Sequence, residues 1–236
     1  YGEGKNWRQV RKNQMRVSDK KLEMVGQIIE NQTGCRQTAA DNCDLFIGIP
    51  FCPTRCSYCS FVSNIISKEK RLEEYVDALC REITVAKLMI KNLRSVYIGG
   101  GTPVSLSAEL LEKILAAVGN VNCEYTVEAG RPDCIDENVL SLLKKYGVTR
   151  ICVNPQTFND KTLEIIGRKH TAADIREKYA MAKKFGFDIN MDLIAGLPQE
   201  SFSEFKYSVD EAVALSPDDI TVHTLSLKKG SKLKES

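Results

Sequence analysis

The sequence predicts an α/β fold with a parallel sheet, and three observations support it. Short apolar, β-branched runs recur six times along the chain, and the segments between them carry apolar residues at helical spacing. Three of those helical segments end at a glycine, the common residue at that position. Alternating strands and helices imply right-handed crossovers and a parallel sheet, which could curl as a barrel or stay open and doubly wound.

The elements follow one another in a regular order. The predicted strands are Leu45–Ile49, Ser95–Ile98, Glu124–Glu128, Arg150–Val153, Asp188–Ile194 and Ile220–Thr224. The clear helical segments are Leu72 to Met89, Leu110 to Val118, Val139 to Tyr146, Ile175 to Phe185 and Phe202 to Leu215, with Gly119, Gly147 and Gly186 ending three of them. Functional groups in such folds lie at the carboxyl ends of strands, so a site is sought there.

The amino-terminal segment differs in composition from the rest. Residues 1–16 carry five basic side chains and one acidic side chain, and we interpret them as a loosely held basic tail. A helical pattern begins at Ser18 and stops near Gly34, and residues 31–44 read as a loop. We therefore divide the chain into an N-terminal basic and helical extension, residues 1–43, and a core domain, residues 44–236.

Composition excludes several classes of protein. The 236 residues include 33 basic and 31 acidic side chains, a balance that does not favour a nucleic-acid surface. No apolar run approaches the roughly 20 residues of a membrane span, and no signal-peptide pattern opens the chain, so we expect a cytoplasmic protein. The nine cysteines are an odd number, which rules out a complete intramolecular disulfide framework. In a reducing compartment, clustered cysteines more often bind metal or do chemistry.

Three of these cysteines lie within eight residues after the first predicted strand. Cys52, Cys56 and Cys59 have the spacing C-x3-C-x2-C, and thiolates this close on one loop can converge on a zinc ion or an iron–sulfur cluster. Zinc sites normally take a fourth ligand, and the two histidines, His170 and His223, are far along the chain. The spacing therefore favours the cluster, with a structural zinc domain as the weaker alternative. Cys80 and Cys152 are interpreted as small core residues.

Polar or flexible residues also follow the later strands. A glycine run, residues 99–101, follows the second strand and would let the backbone approach a ligand. Glu128 ends the third strand, and because an unpaired buried carboxylate is costly, it should face a polar site. Gln156 follows the fourth strand. Asp192 lies among apolar residues of the fifth strand and should have a hydrogen-bonding partner.

These motifs resemble the radical S-adenosylmethionine superfamily, whose signature is C-x3-C-x2-C with an aromatic residue, here Tyr58, before the last cysteine. The resemblance implies a partial (β/α)6 TIM-like barrel in which Cys52, Cys56 and Cys59 hold a 4Fe-4S cluster. It also implies that the fourth iron chelates S-adenosyl-L-methionine (SAM). Reductive cleavage of SAM would then give a 5′-deoxyadenosyl radical that abstracts hydrogen from a substrate.

Six motifs, in order from about residue 44, resemble more narrowly the oxygen-independent coproporphyrinogen III oxidase (coproporphyrinogen dehydrogenase) family, and its HemZ-type branch most closely. They are IPFCPTRCSYCSF, YIGGGTP, TVEAGRPD, NPQTF with IGRKHT, INMDLIAGLP and ITVHTL. The resemblance implies oxidative decarboxylation of coproporphyrinogen III to protoporphyrinogen IX in heme biosynthesis, with electrons from a low-potential donor such as flavodoxin or ferredoxin. The implied cofactor contacts are Tyr58, Gly99, Gly100, Thr102, Glu128, Gln156, Arg168, Asp192, Ile194 and Ala195, with Arg168 on the SAM carboxylate.

Two departures from the family pattern bear on the substrate. Phe46 and Gly48 stand where the best-known members carry Tyr-x-His, and Phe61 stands where they carry a fourth cysteine. We therefore expect contacts to the substrate and to any second cofactor to differ from theirs. The chain also stops soon after the sixth strand, so we expect it to hold the cofactor core, to be truncated at its C-terminus and to lack part of the substrate pocket.

The alternative function is that of a heme-binding or heme-chaperone protein, because relatives of this family use the same barrel in that role. The histidines available as heme ligands are His170 and His223. His223, at the end of the sixth strand, could contact a substrate, but we favour its interpretation as a structural histidine.

Overall fold

The computed structural model describes residues 7–32, 41–61, 63–66 and 70–235, and every structural statement below concerns these residues. The chain divides into two compact units, Tyr1–Asn42 and Cys43–Ser236, and each is described by itself. None of the described helices has the length and apolar composition that crossing a membrane requires.

The first unit contains two helices, α1 (Trp7–Met15) and α2 (Asp19–Asn31). Residues 7–15 of the basic segment that we interpreted as a tail are thus helical. This segment lacks glycine and proline and is rich in arginine, lysine, glutamine and methionine, which favour helix. Lys12 also forms an ion pair with Asp19 at 2.7 Å, which links the two helices. The predicted helix end near Gly34 lies outside the described residues.

The second unit is built on a six-stranded sheet that curls into a half-barrel. Its strands are β1 (Asn42–Ile49), β4 (Asn92–Gly100), β5 (Glu124–Gly130), β6 (Arg150–Val153), β7 (Asp188–Ala195) and β8 (Asp219–Thr224), and they neighbour one another in chain order. The pairs from β4 to β8 are parallel. All six predicted strands are confirmed, and so is the partial (β/α)6 barrel.

Two further strands, β2 (Phe51–Cys52) and β3 (Asn64–Ile65), form a small parallel pair that the sequence did not predict. Two residues are too few to show the alternation by which strands are recognised. The Asn64 N–H donates to the Pro50 carbonyl at 2.8 Å and brings β3 back beside β2. The pair thus closes the base of the loop that carries Cys56 and Cys59.

The helices of this unit lie between the strands along the chain. They are α3 (Leu72–Met89), α4 (Ala108–Val118), α5 (Glu137–Lys145), α6 (Asp160–Ile165), α7 (Ala172–Lys184), α8 (Phe202–Leu215) and α9 (Lys232–Glu235). The five predicted helices are confirmed, and α6 and α9 are too short to show a helical period. Capping boxes formed by Thr171 with Asp174 and by Ser201 with Glu204 begin α7 and α8.

Alternation along the strands separates the core from the concave face of the half-barrel. In β5, Tyr125, Val127 and Ala129 are fully buried in the core. Their neighbours Thr126 and Glu128 line a cavity on the concave side. Because successive side chains of a strand point to opposite faces, one strand supplies both the core and the cavity wall.

Candidate active site

The concave face of the half-barrel encloses a cavity of about 810 Å³. Its wall is formed by side chains of β4 to β8, and one end is formed by the loop between β2 and β3, the cysteine loop (residues 53–61 and 63). Cys52, Cys56 and Cys59 all line this cavity. The structure therefore brings the three cysteines and the polar strand residues into one space.

Backbone hydrogen bonds hold the cysteine loop from two sides. The Ser57 N–H donates to the Ile166 carbonyl at the end of α6 at 3.0 Å, and the Ser57 carbonyl accepts from the Leu233 N–H of α9 at 3.0 Å. The Arg55 guanidinium also donates to the Gly230 carbonyl at 2.7 Å. The loop is thus fixed by segments more than 100 residues away along the chain.

The three thiols are close enough to influence one another. Burial raises the pKa of Cys59, and the neighbouring Cys56 and Cys52 raise it further against the effect of a backbone N–H donor. Three neighbouring sulfurs resist joint ionisation unless a cation compensates their charge. A metal centre supplies that compensation, so the donor set fits a bound metal group.

The arrangement of these sulfurs bears on the kind of metal group. Among the residues that the structure describes, no group of three or more Cys, His, Asp or Glu side chains converges on the position of a single metal ion. Soft thiolates are the ligands that iron–sulfur clusters take in proteins. The three cysteines therefore fit a 4Fe-4S cluster.

Glu128 lies at the cavity wall with two hydrogen-bond donors. The Tyr97 hydroxyl donates to Oε1 at 2.6 Å, and the Gly100 N–H donates to Oε2 at 3.3 Å. Burial raises the pKa of Glu128 above its usual value despite these donors. The carboxylate is therefore a desolvated acceptor that a hydroxyl or amino group of a ligand would stabilise.

Gln156 has an unusual backbone conformation, with φ of 70°. Its N–H donates to the Asp192 carbonyl at 2.9 Å, and its carbonyl accepts from the Ile194 N–H at 2.9 Å. These two bonds fasten it to β7 in a left-handed conformation, which costs a residue other than glycine on the order of 1–3 kcal/mol. Strain of this kind concentrates at functional sites, and Gln156 lines the cavity.

Arg168 brings a positive charge to the cavity beside the cysteine loop. Its Nη2 donates to the Tyr58 hydroxyl at 2.9 Å, and its Nη1 donates to the Asn154 carbonyl at 3.4 Å. Burial raises the pKa of Tyr58 to about 12, although Arg168 opposes the shift, so the phenol stays neutral. The buried Nε of Arg168 has no hydrogen-bond partner among the described residues. The guanidinium can therefore accept an anionic group from a ligand.

Asp192 has the partner that the sequence led us to expect. The Asn190 side-chain amide donates to Asp192 Oδ1 at 2.7 Å, and the amide oxygen of Asn190 accepts from Thr221 at 3.0 Å. His223 Nε2 lies 4.0 Å from the other carboxylate oxygen. This chain of contacts orients Asp192 toward the cavity.

Eight of the ten residues expected to contact the cofactor line the cavity. They are Tyr58, Gly100, Thr102, Glu128, Gln156, Arg168, Asp192 and Ile194. Gly99 and Ala195 are not part of its lining. A Cβ at position 99 would lie 2.6 Å from the Tyr97 ring and 3.0 Å from the Glu128 carboxyl, so the packing of that pair requires glycine here.

The glycine run also has a packing role, which the sequence did not predict. A Cβ at Gly101 would lie 2.3 Å from the Phe51 carbonyl oxygen. The Gly101 N–H donates to the Ile49 carbonyl, and the Thr102 N–H donates to the Phe51 carbonyl, both at 2.7 Å. The run lets the end of β4 lie against the backbone of β1 and β2 and so positions the cysteine loop.

Sequence reasoning missed several cavity residues. Tyr97, Arg131, Cys152, Asn154 and Asn190 also line it. Cys152 is buried as expected, but it borders the cavity, and burial raises its pKa to about 12, so it stays a thiol. Strand alternation, which places Cys152 and Asn154 on one face and Asn190 on the face of Asp192, could have identified three of the five.

The two histidines have opposite environments. The His223 side chain is 57% exposed at the cavity wall, where its Nε2 lies 4.0 Å from Asp192 Oδ2. It lies near the end of β8, which pairs with β7 alone among the described residues. His170 is buried, and its Nδ1 lies 3.5 Å from an Asp133 oxygen.

The positions at which this chain departs from the family pattern lie near the cavity. Phe61 is exposed and lines it, and Phe46 is exposed and stacks on Tyr97 with ring centroids 5.9 Å apart. Gly48 offers no side chain, and its carbonyl accepts from the Tyr75 hydroxyl at 2.8 Å.

Comparison with known proteins agrees with this geometry. The sequence profile of the Radical SAM superfamily matches residues 46–212. The chain is 38% identical over 232 aligned positions to the oxygen-independent coproporphyrinogen-III oxidase-like protein HemZ of Bacillus subtilis, covering 92% of this chain and 46% of that protein. It is 36% identical over 189 positions to the heme chaperone HemW of the same organism, covering 76% of this chain and 49% of HemW.

The fold is similar to that of coproporphyrinogen III oxidase (HemN) from Escherichia coli, a radical SAM enzyme. The TM-score is 0.72 at 23% identity, with 89% of this chain and 54% of that chain covered. The chain thus spans about half the length of the curated relatives it matches. Superfamily members use a 4Fe-4S cluster and SAM, and among solved structures of the same fold one holds SAM and another holds a 4Fe-4S cluster.

Proposed function

Because this chain belongs to the radical SAM superfamily, we propose that its cavity binds a 4Fe-4S cluster through Cys52, Cys56 and Cys59 and binds SAM beside it. The observation that carries the proposal is that the three cysteines and Arg168 line one cavity together with Glu128. Soft thiolates suit iron, and the polar wall suits a charged amino-acid cofactor. Bound together, the two groups supply reductive cleavage of a sulfonium bond and a radical that abstracts hydrogen.

The protein side chains would bind and orient the cofactor. Arg168, whose donors meet only neutral groups nearby, would pair with the SAM carboxylate. Glu128 would accept from the amino group or a hydroxyl, and Gln156 and Asp192 would make polar contacts including the ribose. Tyr58, Gly100, Thr102 and Ile194 would complete the pocket.

For the complete protein, we propose anaerobic oxidative decarboxylation of coproporphyrinogen III to protoporphyrinogen IX in heme biosynthesis. The support is the similarity to the oxidase-like relative over nearly the whole of this chain. A low-potential donor such as flavodoxin or ferredoxin would supply the electron. The reducing cytoplasm suits this chemistry, because the cluster needs free thiols.

The test is cofactor cleavage by the purified chain. The protein is purified without oxygen, reconstituted with iron and sulfide, and mixed with dithionite and SAM, and 5′-deoxyadenosine is quantified. Cys56→Ala should lose the cluster and the product, whereas Cys80→Ala, in α3 and away from the cavity, should keep both. A fully reconstituted wild-type chain that produces no 5′-deoxyadenosine, with or without porphyrinogen, would contradict the proposal.

A second candidate function, heme binding in a chaperone role, is favoured by one observation. His223 presents an exposed imidazole at the cavity wall, whereas His170 is buried and cannot reach a heme in the cavity. If the chain is a chaperone, His223→Ala should weaken heme binding in an absorbance titration, and the wild type should leave coproporphyrinogen unconsumed. Consumption of coproporphyrinogen by the complete protein would favour the oxidase instead.

A further inference from the structure

Arg131 is a buried cation directly behind the cysteine loop. It is 3% exposed, although arginine is rarely buried without a partner. Its Nη1 donates to the Thr54 hydroxyl at 2.7 Å and lies 4.0 Å from Cys56 Sγ, to which it also donates. The guanidinium therefore contacts both the loop and one of the three thiols.

The backbone before Arg131 aims its side chain at the loop. The pairing of β5 with β6 shifts register between Glu128 and Gly130, and Gly130 has a φ of 58°. An irregularity of this kind re-aims the next side chain. Pro132 then restricts Arg131 to an extended backbone, which it adopts with φ of −112°.

The opposite edge of the guanidinium is held by a carboxylate. Nε and Nη2 of Arg131 donate to the two oxygens of Asp133 at 3.1 and 3.0 Å. Burial alone would raise the pKa of Asp133, but contacts with His170 and Arg131 outweigh it and hold the pKa well below its usual range. Asp133 is thus ionised, and the ion pair has its positive end at Cys56 and its negative end away from it.

We propose that Arg131 is a positioning residue that fixes Cys56 and raises the reduction potential of the cluster. The inference rests on the proposed function, because it assumes that Cys56 is a cluster ligand. No step of it requires Arg131 or Asp133 to change protonation.

The direction in which Arg131 changes the reduction potential follows from electrostatics. Reduction adds one negative charge to a cluster, and a positive charge about 4 Å from a ligand sulfur stabilises the reduced state. Cluster potentials respond to net charge and to hydrogen bonds on the sulfurs, and Arg131 supplies both. A neutral donor could hold the Thr54 hydroxyl equally well. What arginine adds at this position is its positive charge, and we expect that charge to act on the cluster.

The experiment compares cluster potentials in the whole chain. Wild type, Arg131→Gln, Arg131→Lys and Asp133→Asn are reconstituted, and iron and sulfide are counted. The midpoint potential is then measured by redox titration with electron paramagnetic resonance detection. Arg176→Gln is the matched control, because Arg176 also forms an ion pair with a carboxylate, Glu211, but lies outside the cavity.

Arg131→Gln should shift the potential to more negative values, and Arg131→Lys should shift it less because the charge is kept. Asp133→Asn should shift it the other way, because a negative charge is removed while Arg131 remains. The control should not differ from wild type. Opposite signs at positions 131 and 133 are not expected from a purely structural role.

Several outcomes would overturn the inference. They are unchanged potentials in all variants, shifts of the same sign at both positions, or loss of the cluster from all three variants at these positions. If only Arg131→Gln loses the cluster, the inference is tested by the directions in which the midpoint potentials of Arg131→Lys and Asp133→Asn shift from that of the wild type. A wild-type chain that binds no cluster is the separate failure of the proposed function.

Discussion

Arg168 donates a 2.9 Å hydrogen bond to the Tyr58 hydroxyl, and within the described residues it has no ion pair with a carboxylate. The hydrogen bonds of this guanidinium go to neutral acceptors, the Tyr58 hydroxyl and the Asn154 carbonyl, so an anionic ligand group gains a charge-assisted contact there. The relationship joins the segment after α6 to the cysteine loop, and it places the positive charge near Cys56.

Arg168→Met should weaken SAM binding at least tenfold, because losing a buried partner of a charge-assisted pair costs on the order of 2 kcal/mol or more. Arg168→Lys should recover part of the affinity, because lysine keeps the positive charge but cannot form the two parallel hydrogen bonds that a guanidinium makes to a carboxylate. Equilibrium dialysis against the reconstituted protein measures the effect. Arg176→Met is the control, and equal affinities for the Arg168 variants and wild type would contradict the assignment.

Glu128→Gln should change the pH dependence of stability in the protein without cofactors. Because burial raises the native pKa of Glu128, the folded state holds this proton more tightly than the unfolded state. The free energy of unfolding therefore falls as the pH rises from the usual glutamate value through the higher native value. Urea denaturation at several pH values should show that the variant lacks this fall, whereas Glu109→Gln, exposed on α4, should keep it.

Gln156→Gly and Gln156→Ala should differ from each other in stability by about 1 kcal/mol. Both variants lose the amide side chain, but only glycine removes the strain of the left-handed backbone. The glycine variant should therefore have the higher urea midpoint, and both should bind SAM more weakly than wild type. An alanine variant as stable as the glycine variant would show that position 156 is not strained.

The sequence predicted the sheet and the main helices because their patterns repeat over many residues. It also predicted that the three cysteines and most of the polar residues at strand ends would lie together, because parallel strands bring their carboxyl ends to one edge of the sheet. It did not predict Arg131 as part of the site, because a register shift near Gly130 aims that side chain and no periodicity reveals it. It also did not predict the exposure of His223, because exposure on a strand depends on which strands lie beside it.

Gly101→Ala tests whether the glycine run positions the cysteine loop by packing. An added Cβ would lie 2.3 Å from the Phe51 carbonyl oxygen, which is backbone and cannot move aside, so the variant should lose about 1–3 kcal/mol of stability. Gly48→Ala is the matched control, because the nearest atom to its Cβ would be 3.6 Å away on the exposed Phe46 ring. Urea denaturation should separate the two, and iron retention after reconstitution should fall only in Gly101→Ala. If both variants are equally stable, the close approach of β4 to the backbone after β1 does not hold the loop.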